Sequence, residues 1–149
     1  MNTAPSFTPH IIEKNGKKQI FDPIRKRFVA LTPEESVRQM FIDFMVRTMK
    51  YPAGLIGVEK SVSVNGMCQR ADILLYNRRG EPVMIVECKA PNVAVGRETL
   101  EQAARYNTAL GVKYLTITNG QASYCVQLGA EANSHQLLAE FPPACAIIN

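Results

Sequence analysis

The chain has 149 residues, 46% apolar and 20% charged, which excludes a disordered or fibrous protein and allows one domain with a real hydrophobic core. Its net charge of +4 and pI near 9.0 lean weakly toward a polyanionic partner; much of the excess lies in Lys17, Lys18, Arg25, Lys26 and Arg27, a short basic set of the kind that is more often solvated surface than a nucleic-acid site. No run of about 18 apolar residues occurs and residues 1–20 hold no apolar signal core, so neither a membrane span nor a secreted chain is expected.

Residues 1–18, with Pro5, Pro9 and Gly16, read as a flexible N-terminal arm, and residues 19–149 as a single domain. Residues 19–30 carry a turn signal at Asp22-Pro23 between two short extended runs, a small hairpin or edge structure. Thr32 to Lys50 is the clearest helix: Thr32 caps it, Pro33 suits the first position, Glu35 completes a capping box, and Val37, Met40, Phe41, Phe44 and Met45 define one apolar face. Residues 55–64 and 67–76 read as strands joined at Asn65-Gly66, and residues 82–90 as a third strand, apolar on both faces. A second helix is expected over 97–110, a fourth strand over 112–118, a turn at Asn119-Gly120 and a fifth strand over 121–128. A short helix near 134–140 completes the reading. The order predicts an α/β fold, a mixed central sheet flanked by helices, with a parallel right-handed crossover from the third strand through the second helix to the fourth.

Cys68, Cys88, Cys125 and Cys145 form no CxxC pair, so zinc-ligand spacing is absent. They are expected reduced and buried, which points to the cytoplasm.

Three residues stand out chemically. In the third strand Val83, Ile85, Glu87 and Lys89 share one face and Met84, Val86 and Cys88 the other, so Glu87 and Lys89 enter the same space at the strand's C-terminal end. Asp72 interrupts a second apolar strand, and antiparallel pairing across the intervening hairpin brings it toward Glu87. Singly, Asp72 reads as a strand-end turn residue and Glu87 with Lys89 as a cross-strand salt bridge. Together, two carboxylates and an ammonium suit phosphodiester hydrolysis. The carboxylates and the Cys88 carbonyl offer hard oxygen ligands to Mg²⁺ or Mn²⁺, and Lys89 can orient or deprotonate a water and stabilise developing charge.

Asp72 followed by Glu87-Cys88-Lys89 resembles the D…(D/E)-x-K signature of the PD-(D/E)xK nuclease superfamily, with Ala71 where a proline is usual. Leu31-Thr32-Pro33-Glu34-Glu35, Val37-Arg38-Gln39, Arg70-Ala71-Asp72, Val86 to Pro91 and Leu115 to Gly120 resemble the N-terminal nuclease domain of type I restriction enzyme R subunits. The resemblance implies a restriction-endonuclease-like core and a metal-dependent endonuclease acting on DNA, with Asp72, Glu87 and the Cys88 carbonyl on the metal and Lys89 as the catalytic lysine. Gln102 and Tyr106 match that family's Q-x-x-x-Y element and join the catalytic set by that resemblance; one helical turn apart, they read equally as a pair covering the sheet. The superfamily often adds a glutamate from the first helix. Glu34 is preferred here, because Glu35 is already explained by capping and Glu34 lies nearer the Val37/Phe41 face, pointing closer to the sheet. No phosphate loop of a helicase motor is present in these residues, so a separate motor or restriction subunit, or a homodimer, is the expected partner. The alternative is a non-catalytic nucleic-acid-binding or assembly module on the same fold.

Overall fold

The computed structural model describes residues 6–64, 66–107, 111–129, 131 and 134–149, and the side chains of Val64, Met67 and Tyr106 lie outside that description. It contains two sheets. The first is an antiparallel meander of β1 (Ile11–Lys14), β2 (Lys17–Asp22) and β3 (Arg27–Ala30). The segment read as a flexible arm is therefore strand from Ile11 onward. Asn15 and Gly16, both at positive φ (53° and 74°), make the two-residue turn that the right-handed twist of a hairpin favours. Asp22 organises the next turn, its Oδ1 accepting the backbone N–H groups of Ile24 (2.7 Å) and Arg25 (3.0 Å). His10, Phe21 and Phe28 stack across the meander with centroids 5.0 to 6.0 Å apart.

Helix α1 (Pro33–Asp43) starts where Thr32 Oγ1 accepts the Glu35 N–H at 3.0 Å. The capping box is only half made. Thr32 donates its own N–H to Ala30, and the Glu35 carboxylate turns inward to arginines instead. A π-helical turn, Phe44–Thr48, continues α1. Its apolar face closes on the C-terminal segment: Phe41, Phe44 and Phe141 lie with ring centroids 5.2 to 5.8 Å apart, and the buried Tyr51 hydroxyl donates to the Pro142 carbonyl at 2.6 Å.

The second sheet is six-stranded, in the order β4 (Ile56–Val64), β5 (Met67–Tyr76), β6 (Pro82–Cys88), β7 (Tyr114–Thr118), β8 (Ser123–Gln127), β9 (Gln136–Leu138). Only β6 and β7 are parallel, joined through α2 (Arg97–Asn107), as the crossover reading expects. The turn residue Asn65 and positions 108–110 of the expected second helix lie outside the described residues. Asn119 builds the β7–β8 turn, its Oδ1 accepting from Gln121 and Ala122 at 2.9 and 2.8 Å. Gly120 is needed there: its φ is +88°, and a Cβ would meet Met40 Cε at 2.5 Å. Residues 136–138, read as helix, form the edge strand β9 against β8; the tail's short helix is α3 (Ala144–Ile147).

The sheet separates two cores. On the α1 side lie Phe41, Met45, Ile73, Leu75, Met84, Val86 and Cys88. On the α2 side lie Ala71, Leu74, Ile85, Leu100, Leu115 and Ile117. All five residues of β7 are buried, as a strand covered on both faces requires. Apart from a register shift between Leu75 and Tyr76 against β6, alternation slips next to the candidate site. Val58 and Ile73 face the α1 core, yet Val62 and Ala71 face the α2 core. The change falls at Glu59, held at φ +54°, opposite Asp72 where the β4–β5 ladder misses a rung.

The cysteines divide. All four are free thiols, but only Cys88 and Cys125 are buried, while Cys68 and Cys145 are exposed, which corrects the expectation that all would be inside. Burial pushes the Cys125 thiol up to about 11 and likewise raises Cys88 well above its ordinary value, helped by Asp72. Native protein should therefore label rapidly at Cys68 and Cys145 with a thiolate-selective reagent, and at the other two only after unfolding. Four rapid labels on folded protein would contradict this packing. No helix among the described residues is long and apolar enough to cross a membrane.

Candidate active site

The polar residues gather where β5 and β6 part. The last bonded pair of that ladder is Ile73 with Val86, so the register carries Asp72 opposite Glu87 one step beyond it. The two carboxylates then leave on different sides of β6.

Asp72 faces α1. Its Oδ2 accepts the backbone N–H of Cys88 at 2.8 Å, closing the strand end, and its Oδ1 receives Arg38 Nη2 at 3.2 Å. Arg38 is only 7% exposed and also reaches Glu35 (3.0 Å) and Glu59 (3.3 Å). Arg25 extends the chain of charges, bonding Asp22 at 2.5 Å and Glu35 at 2.6 Å. Burial pushes the Asp22 carboxyl up, but hydrogen bonds from Arg25 and from the turn N–H groups prevail and hold it below its ordinary value. For Glu59 burial likewise raises, and Arg38, Arg70 and Arg25 together lower it further. Glu35 is committed to Arg25, Arg38 and Gln39. The expectation that Glu34 points closer to the sheet is reversed: Glu35 is buried and Glu34 is exposed. Glu34 nevertheless lies near enough for its charge to raise the Cys88 thiol, and it keeps its oxygens uncommitted to those arginines.

Glu87 and Lys89 face α2, as strand alternation predicted. With Thr99, Gln102, Ala103 and Ile117 they line an open cavity of about 310 Å³. Gln102 thus meets the strand-end pair at its cavity. The Tyr106 side chain lies outside the described residues. Lys89 is fixed through its main chain, whose N–H donates to the Thr118 carbonyl at 2.8 Å, and among the described residues its ammonium makes no ion pair.

Among the described residues no three His, Cys, Asp or Glu side chains form a ready metal cluster. The donor chemistry still fits a hard divalent cation. Among the described residues Glu87 Oε1 meets two long amide contacts at 3.5 Å, from Gln69 and Asn107, whose own oxygens are buried without a donor there. Reading the sequence did not find Arg38, Gln69 or Asn107. Arg38 had a usable signal, a charge one position past Val37 on the helix face that turns inward, three residues after Glu35.

A mixed α/β sheet with an acid, a lysine and a glutamine gathered beside the end of its central parallel strand defines a strand-end site of the kind that open α/β sheets favour. The sequence model for the type I restriction enzyme R protein N terminus matches residues 33–142, and the chain belongs to that family. No curated protein matches the sequence. Among solved structures, a fragment described as an HsdR subunit of a type I restriction enzyme from Vibrio vulnificus YJ016 is 28% identical, covering 62% of this chain, with a TM-score of 0.43. The chain spans 19% of that one.

Proposed function

We propose that this chain is a metal-dependent endonuclease domain of the PD-(D/E)xK type, hydrolysing DNA phosphodiester bonds in the cytoplasm. The observation that carries the reading is the shared cavity of Glu87, Lys89 and Gln102 beside the strand end that Asp72 closes. Glu87, Asp72, the Cys88 carbonyl and Glu34 are the oxygens that would hold Mg²⁺ or Mn²⁺. Such an ion supplies charge neutralisation at the phosphate and a more acidic water. Lys89 would either hold the attacking water by hydrogen bond as an ammonium or, as the neutral amine, take its proton and become the ammonium; in both cases its positive charge then steadies the phosphate in the transition state. Gln102 offers an amide to a phosphate oxygen, with Tyr106 one turn along the same helix. Arg38 keeps the Asp72 carboxylate oriented. A separate motor or restriction subunit, or a second copy of this chain, directs the cut.

The test is incubation with supercoiled plasmid and with labelled single-stranded DNA, with Mg²⁺ or Mn²⁺, beside Asp72→Ala. Cleavage by wild type and a loss of about a hundredfold or more in the variant is expected, the size of removing one charge-stabilising group. Equal cleavage by both would sink the assignment. The second reading, a binding or assembly module without turnover, draws on the engagement of both Asp72 oxygens by Arg38 and Cys88. It predicts salt-sensitive DNA binding and no cleavage with either metal.

A further inference from the structure

The surround of Glu87 contains more polar groups than the lysine mechanism uses. Gln69 stands on β5 beyond its last pairing with β6, on the face that the slip at Glu59 turns toward α2. Asn107 is the last residue of α2 and is 0% exposed. Each brings an amide nitrogen to 3.5 Å from Glu87 Oε1, the outer limit of a hydrogen bond. The Asn107 amide is not free to turn, because its nitrogen donates to the Ala103 carbonyl at 2.7 Å. Its Oδ1, and Gln69 Oε1, are buried with no partner among the described residues.

A buried acceptor without a donor costs about 1–3 kcal/mol, so two beside one carboxylate call for a complement. That complement must donate to several oxygens and carry positive charge for Glu87. A single water has two protons and no charge. An amide's oxygen and nitrogen share one carbon, so both orphan oxygens lie within a hydrated ion's span of Glu87. We propose that Gln69 and Asn107 form, with Glu87, the outer cradle of a hydrated divalent cation, their amide oxygens accepting hydrogen bonds from the ion's waters. The proposal rests on the nuclease reading for the ion and adds two positioning residues to it. It also suits Mg²⁺, which keeps several of its waters when bound.

Calorimetric titration with MnCl₂, without DNA, tests it on wild type, Glu87→Gln, Asn107→Ala and Gln69→Glu, with circular dichroism and melting curves to establish folding. Asn107→Ala should weaken Mn²⁺ binding about tenfold to a hundredfold, as loss of an outer-sphere partner does. Gln69→Glu, at a partly buried strand position beside Glu87, should tighten it. Unchanged or weaker Mn²⁺ affinity in Gln69→Glu overturns the cradle, as does unchanged affinity in a folded Asn107→Ala. In either case the nuclease reading survives so long as Glu87→Gln weakens binding. No Mn²⁺ binding by wild type at millimolar concentration overturns the cradle and the metal-dependent reading together.

Discussion

Lys89→Ala should reduce metal-dependent cleavage by about 10²- to 10⁴-fold, the range for loss of a positioned proton-transfer group, while leaving stability almost unchanged. The two halves of that expectation have separate causes. The main chain at Lys89 is held by the Thr118 carbonyl, a bond that no side chain change removes. Its ammonium has no ion-pair partner among the described residues, so truncation leaves no buried carboxylate without its counter-charge. A substitution of that kind falls within about 0.5 kcal/mol of neutral. Lys89 thus lines a cavity with Glu87 and Gln102 while making no ion pair among the described residues, an arrangement that the proposed chemistry can use.

Lys89→Arg divides the two roles available to the lysine. A guanidinium keeps its charge and cannot accept or give up a proton under ordinary conditions. If Lys89 acts mainly by charge on the phosphate, Arg should retain a measurable part of the rate. If it handles the proton of the attacking water, Arg should be as inactive as Ala. Plasmid nicking rates for the three proteins, with melting curves alongside, decide the matter, and wild-type rates in Lys89→Ala would remove Lys89 from the site.

The sequence made the α2 half of this site readable and left the α1 half obscure, and the difference is physical. Strand alternation is a strict period, so the sequence alone places Glu87 and Lys89 on one face at the end of this strand. Beside the site the alternation fails at Glu59, where a left-handed residue rotates β4 and β5, and nothing in a non-glycine residue announces such a conformation. That rotation carries Gln69 round to the Glu87 side and sets Asp72 toward Arg38. The glutamates of α1 were misjudged for a related reason. Capping explained Glu35 by local sequence alone, but two arginines distant in the chain outcompete the backbone for its carboxylate. The hairpin about Asp22-Pro23 was legible and β2 and β3 form it, whereas the Asn15-Gly16 turn that brings in β1 is the same hairpin signal as Asn65-Gly66, set among lysines. The tail's β9 had no period of its own and exists because β8 offers an edge.

Arg38→Ala should destabilise the protein by ~3 kcal/mol and lower its melting temperature by about 10 °C, from the cost of breaking a buried ion pair and the scale of unfolding entropy for a chain of this size. The figure sits at the low end for buried pairs because Glu35 keeps Arg25 and Gln39. Asp72 likewise keeps the Cys88 N–H. The loss should depend on pH in a determinate direction. Glu59 is raised by burial but held lower overall by Arg38, Arg70 and Arg25. A carboxyl depressed on folding stabilises fully above its ordinary value of 4.5 and loses that contribution as pH falls through its folded value. Removing Arg38 removes part of the depression, so the gap between wild type and variant should be widest near neutrality and narrow on acidification below about pH 4, the ordinary carboxylate range. Melting temperatures across pH 3 to 8 for both proteins measure this, and a gap that is constant with pH would mean that Arg38 acts through packing alone. The same variant frees Asp72 Oδ1. Since Arg38 is the one side chain seen to hold that oxygen among the described residues, cleavage should fall along with stability. The activity loss should persist at temperatures where the variant is fully folded, which ties the buried arginine to the orientation of the carboxylate and not only to the integrity of the fold.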